Sequence, residues 1–100
     1  MSIYNEDTNE SFDIPQNGMI DFYADWCQPC KVMNPTIDEI KKEGYEVKKV
    51  DVETNQLMAN YFGIANIPTF VFIKEGKEYD RITGVTHKDK ILSILEEMKS

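Results

Sequence analysis

Cys27 and Cys30 are the only cysteines of the chain, they stand two residues apart, and Trp26, the only tryptophan, directly precedes them. Two thiols at this spacing can close and reopen a small disulfide ring. The thiolate is the nucleophile in such exchange, so the chemistry needs a place that stabilises negative charge on sulfur. The flanking residues supply one. Met19-Ile20-Asp21-Phe22-Tyr23-Ala24 reads as a strand leading in, and Lys31-Val32-Met33-Asn34 as a helix leading out. Cys27 therefore falls where a strand ends and a helix begins, and the first N–H groups and the dipole of that helix favour a thiolate. Cys30 lies a turn deeper and is expected to be the less exposed thiol. Cys27 is then the attacking group and Cys30 the resolving one. A zinc site is the competing reading of the pair. It needs four ligands, and the chain offers no further cysteine and only His87, remote in sequence.

The elements that must hold this pair belong to one domain, residues 1–100, since a chain of this length builds one modest core and not two. A net charge of −7 argues against nucleic acid and against anionic membrane surfaces. No apolar run approaches the length of a spanning helix. Met1-Ser2-Ile3-Tyr4-Asn5-Glu6-Asp7 has neither the basic region nor the apolar stretch of an export signal. The expected compartment is a reducing cytoplasm, where a pair at this spacing is catalytic rather than structural.

Residues 5–18 are rich in Asn, Asp, Glu and Ser and end in Pro15 and Gly18. A short strand near Ile3-Tyr4 followed by a loop or a single helical turn is expected there, because the breakers stand too close for a long helix. A helix follows the cysteines from about Pro29 to Lys42, with Met33, Ile37 and Ile40 on one face. Pro29 suits its first turn, Pro35 lies inside it, and Gly44 ends it. A strand over Val47–Val52 and a short helix capped by Thr54 come next. Thr69–Lys74 is the strongest strand signal, turning at Glu75-Gly76 into a return strand to Thr83. Thr86 and Asp89 resemble a capping box for a last helix with Ile91, Ile94, Leu95 and Met98 as its apolar stripe. Strands alternating with helices, then a hairpin and a closing helix, predict an α/β sheet covered on both faces. Asp21 in the first confident strand is then buried, its pKa raised, and placed to exchange a proton with Cys30. Lys49 has two readings, a partner that tunes Asp21 or a plain exposed strand lysine.

Ile20 to Lys31 as a whole resembles the active-site segment of the thioredoxin family. Pro35 is similar to its kinked-helix proline, Ile67-Pro68-Thr69-Phe70 to its cis-proline loop, Gly84 to the glycine beside its substrate groove, and Lys49 to a lysine on its third strand. The resemblance runs from about Ile20 to the C-terminus. It implies the thioredoxin fold, a central mixed β-sheet flanked by helices on both faces, here with a shortened first helix. It implies a protein-disulfide reductase acting in electron transport and cell redox homeostasis, with Asp21 as proton acceptor and donor. A cis bond before Pro68 would leave a backbone edge free for an extended substrate, and Trp26, Ile67, Gly84 and Val85 would form an apolar patch around Cys27. No bound cofactor is implied, because the sulfurs carry the electrons. The partners implied are protein disulfides and a separate reductase, and the chain is expected to act as a monomer. Gln28 replaces the family's usual glycine and Asn66 a glycine before Ile67, changes that bear on redox potential and partner choice; Gln28 and Pro29 shape the first helical turn beside the Cys27 sulfur.

A glutaredoxin-like or oxidase role is the rival within the same chemistry. Trp26-Cys27-Gln28-Pro29-Cys30 differs from the Cys-Pro-Tyr-Cys pattern of glutaredoxins, and no basic glutathione site is evident. A binding module with incidental thiols is the rival from another class. Both cysteines and Asp21 argue against it.

Overall fold

The structure, a computed structural model, describes residues 1–100. Its elements in chain order are β1 (Ser2–Asn5), β2 (Glu10–Asp13), β3 (Gly18–Tyr23), α1 (Gln28–Lys42), β4 (Val47–Asp51), α2 (Gln56–Tyr61), β5 (Thr69–Lys74), β6 (Lys77–Thr83) and α3 (Lys88–Glu97). The central sheet has four strands in the order β4-β3-β5-β6. β4 runs parallel to β3 through the α1 crossover, whereas β5 and β6 run antiparallel. The sheet is mixed, as expected.

Both of its faces are covered, and the strand sequences say why. β3 and β5 are buried on successive residues rather than on alternate ones, the pattern of strands with helices on each side. Met19, Val47, Phe70 and Phe72 pack against Met33, Ile37 and Ile40 of α1 and Ile91, Ile94 and Leu95 of α3. Ile20, Phe22, Val50, Val71 and Ile73 point the other way and meet Ile14, Met58 and Phe62. Each such side chain contributes about 1.5–3 kcal/mol by leaving water. Gly44 takes φ +99° where α1 stops, the left-handed backbone that lets the chain turn into β4.

The expected shortened first helix is absent. A β-hairpin of β1 and β2 stands in its place, pairing Ile3 with Phe12 and forming a separate two-stranded sheet. The strand near Ile3-Tyr4 is present, but the polar residues after it form a loop that sends the chain straight back. Asn5 Oδ1 accepts from the backbone N–H groups of Asp7 and Thr8, and Asn9 takes a left-handed φ of 59° that asparagine tolerates. The hairpin covers the α2 side of the sheet: Ile3 and Phe12 pack on that cluster, and Phe12 meets the Tyr61 ring edge-on at 5.3 Å. The N-terminal ammonium donates to the Ile14 carbonyl at 2.9 Å, and the Ile14 N–H donates to the Met1 carbonyl at 2.8 Å.

Two helix starts also differ from the sequence pattern. Asn55 rather than Thr54 precedes α2, and His87 rather than Thr86 precedes α3, in neither case with a side-chain cap. Thr54 instead turns its hydroxyl toward the Asp51 carbonyl at 3.5 Å.

If the hairpin substitutes for a helix as a cover, its two faces must differ in weight. Phe12→Ala should cost about 2 kcal/mol of stability, less than the roughly 3–5 kcal/mol of a fully buried aromatic because the ring is only half-buried. Tyr4→Ala, at an exposed position on the same hairpin, should stay within about 0.5 kcal/mol. Urea titration of both variants checks this, and equal losses would mean that the hairpin's inner face carries no packing.

Candidate active site

β3 is the central buried strand, and the chain leaves its C-terminal end through Ala24, Asp25 and Trp26. The Cys27 N–H closes this turn on the Ala24 carbonyl at 3.1 Å. Cys27 is then the N-cap of α1, with extended backbone at φ −82°, ψ 106°. Its Sγ accepts the N–H of Cys30 at 3.2 Å, the position a serine or aspartate oxygen takes at other helix starts. Pro29 occupies the first turn, where its missing N–H removes no bond. That turn holds no acidic side chain, so the positive end of the α1 dipole is left for the sulfur.

Cys27 and Cys30 are joined as a disulfide, with Cα atoms 5.3 Å apart. The expectation that Cys30 would be the less exposed of the two is not met, since each is 4% exposed. Both cysteines sit with Ala24 among Tyr23, Val52 and Ile67. What separates the two is the side from which each is approached. Cys27 lines an open cleft of about 370 Å³ with Trp26, Gln28, Pro29, Ala65, Asn66 and Ile67. Cys30 lines a second cleft of about 250 Å³ with Tyr23, Ala24, Asp25, Lys31, Asn34 and Lys49. A somewhat larger cleft, about 420 Å³, lies at the other end of the strands beside Gly18, Glu46 and Ser100 and is remote from the thiols.

The loop facing Cys27 is shaped by Pro68. The Ile67–Pro68 bond is cis. The Gly84 N–H donates to the Pro68 carbonyl at 2.8 Å, and Thr69 Oγ1 donates to the Asn66 carbonyl at 2.6 Å. The backbone N–H and carbonyl of Ile67 enter no hydrogen bond, so an unpaired edge lies beside Cys27. Trp26 stands 65% exposed at the rim. Gly84 is tied to the loop through Pro68 and Val85 is exposed beyond it, though neither lines the Cys27 cleft.

Asp21 is 3% exposed on β3, in register with Lys49 of β4 and Phe70 of β5. Burial pushes its pKa up to about 6, and the positive charge of Lys49 pulls the other way. Lys49 is exposed on β4, in register with Asp21. The sequence pattern did not single out Asn34, Tyr23 or Ala65. Asn34 had one available signal, its place four residues after Cys30 on the same helix face.

A four-stranded mixed sheet, a helix opening on a Cys-X-X-Cys pair and a cis-proline loop opposite it invite comparison with known proteins. Residues 4–97 match the family model described as Thioredoxin. The chain belongs to the thioredoxin family. It is 35% identical over 81 residues to the thioredoxin of Chlamydia caviae, covering 79% of each chain. It is 39% identical over 77 residues to that of Rickettsia prowazekii, covering 74% of this chain and 73% of the relative. Among solved structures, a mutant thioredoxin from Halobacterium salinarum superposes with a TM-score of 0.80 at 29% identity, over 85% of this chain and 76% of that one. Fasciola hepatica thioredoxin gives 0.74 at 38% identity, over 80% and 78%. The fold is the thioredoxin fold, with a hairpin at its N-terminus, and the activity is thiol–disulfide oxidoreduction at Cys27 and Cys30.

Asp21 provides a pH test of the site. A carboxyl whose pKa is raised on folding leaves the protein most stable when both states are protonated, below the unfolded value of 3.8. Stability is lost as pH rises through the window from there to about 6. Asp21→Asn should therefore raise stability at pH 7 by up to about 3 kcal/mol, the worth of roughly two pKa units, and by almost nothing near pH 3. Denaturant melts at the two pH values measure the difference. A gain of equal size at both would place its cause elsewhere.

Proposed function

We propose that this protein is a cytoplasmic protein-disulfide reductase, a monomer of one domain over residues 1–100, that passes electrons from a separate reductase to protein disulfides and so serves redox homeostasis. The observation that carries the reading is the Cys27 sulfur at the helix N-terminus, beside an open cleft and an unpaired backbone edge. A sulfur placed there is stabilised as a thiolate, and a larger thiolate fraction near neutral pH speeds attack on a disulfide.

The steps balance as follows. The Cys27 thiolate attacks one sulfur of a substrate disulfide. A Cys27–substrate disulfide forms, and the other substrate sulfur leaves as a thiolate that takes a proton from water. Cys30 then gives its proton to the Asp21 carboxylate and attacks Cys27 Sγ. The mixed disulfide breaks, the second substrate thiolate leaves and is protonated, and the Cys27–Cys30 disulfide remains. Two electrons have passed to the substrate. A dithiol or flavin-dependent reductase returns them from outside, so no cofactor need be bound to this chain.

Trp26, Ile67, Pro68, Gly84 and Val85 form the substrate patch in this reading. An extended segment pairs with the free Ile67 edge by strand addition, and the apolar side chains flank it. Gln28 and Pro29 shape the first turn and tune the Cys27 sulfur, and Lys49 tunes Asp21.

The direction of electron flow is what a binding module or an oxidase would not share. Cys30→Ser should accumulate mixed disulfides with insulin chains, while Cys27→Ser should form none. In the reduced protein, alkylation at mildly acidic pH should label Cys27 well before Cys30, and equal labelling would undo the assignment of roles. Equilibration with glutathione should place the potential below about −200 mV. A value near about −120 mV, that of a strong oxidant, would reverse the physiological direction and leave the fold alone.

A further inference from the structure

Asn34 and Lys49 meet at the cleft on the Cys30 side. Lys49 Nζ donates to Asn34 Oδ1 at 3.0 Å, and this is the one side-chain hydrogen bond joining α1 to β4. The same ammonium lies 5.1 Å from the centroid of the Tyr23 ring. All three side chains line the cleft with Cys30. Asn34 stands four residues after Cys30, one turn along the helix, and Lys49 is in register with Asp21 on the neighbouring strand.

An exposed lysine on a strand ordinarily keeps its rotamer freedom, and holding it still costs entropy. Left free, its ammonium spends most of its time in water, where salt and solvent screen it from a carboxyl below. Here two contacts of different kinds act on one charge, an amide oxygen from the helix and an aromatic face from β3. They fix it where the cleft opens, above the strand that carries Asp21.

We propose that Asn34 is a positioning residue for the resolving step, holding the Lys49 ammonium at the mouth of the Cys30 cleft beside the strand that carries Asp21. The inference rests on the reading of Asp21 as the group that exchanges a proton with Cys30. The positioned charge favours the Asp21 carboxylate, the form that accepts this proton, and offsets part of the effect of burial. The other groups around this corner are Tyr23 on β3, Asp25 after it, Asp51 on β4, and Lys31 on α1, while β5 contributes only the uncharged Phe70 opposite Asp21. Among these, Lys49 is the cation that acts on Asp21, so releasing it is not compensated locally.

The test is a double-mutant cycle read by titration of the Asp21 carboxyl carbon by NMR in the oxidised protein, with the pH profile of mixed-disulfide resolution as a second readout. Lys49→Met should move the Asp21 midpoint and the acid limb of the profile upward. Asn34→Ala should move both the same way by roughly a few tenths of a pH unit. Asn34→Ala added to Lys49→Met should move them no further, because Asn34 acts through Lys49. An Asn34 that only secures the helix would lower stability without shifting the titration. If Lys49→Met shifts the midpoint and Asn34→Ala does not, the proposal falls while the role of Lys49 stands. Additive shifts would mean that Asn34 acts on Asp21 directly and would also overturn it. If the Asp21 midpoint moves but the pH profile of resolution does not, the role of Asp21 fails, and the positioning role for that step fails with it. An unmoved midpoint in Lys49→Met would remove the coupling on which both depend.

Discussion

A hydrogen bond from the Cys30 N–H to the Cys27 sulfur sets what this fold must supply. It requires a helix to start within a few residues of the end of a buried strand, with nothing acidic in the first turn to take the place of the sulfur. Such a start is stable only if both elements are anchored away from the site. β3 is anchored by neighbours on both sides, β4 and β5, and α1 by the apolar face of Met33, Ile37 and Ile40 pressed on the sheet. The core therefore serves to hold one helix end still. Electrostatic stabilisation of a thiolate falls off within the first turn, so a small displacement of that end would forfeit it.

The same anchoring imposes a cost on β3. A strand covered on both faces has little place for a carboxylate, yet Asp21 lies in its middle and is buried. A buried polar group of this kind lowers stability in an otherwise apolar layer. Burial also pushes the pKa of that carboxyl up to about 6. Two clefts open on different sides of the disulfide. The side with Trp26 and Ile67 is the more apolar, and the side with Lys49, Asn34 and Asp25 is polar.

The N-terminal hairpin shows how loosely a cover is specified compared with a site. The α2 face of the sheet has to be shielded from water, and the shielding term is proportional to area rather than to geometry. Ile3, Phe12 and Ile14 achieve it from extended backbone, with the chain end tied by two hydrogen bonds between Met1 and Ile14. The cysteine turn admits no such freedom, because there the direction of each N–H matters.

Much of this was legible in the chain. The apolar runs of β3 and β5, the breakers at Pro29, Gly44 and Gly76, and the spacing of Met33, Ile37 and Ile40 determine local structure through steric and periodic rules that need no distant partner. With Trp26 and the two cysteines at their junction, they also determined the chemistry. The hairpin was not legible, because residues 5–11 are polar at every position. A short strand with one half-buried side chain leaves no period to read until Phe12 finds Tyr61. The equal burial of Cys27 and Cys30, the bond from Lys49 to Asn34 and the free edge at Ile67 were likewise settled only by tertiary structure. Each joins residues from elements separated in sequence or depends on how they close around the site. A chain read residue by residue carries their types, whereas the fold alone sets their distances.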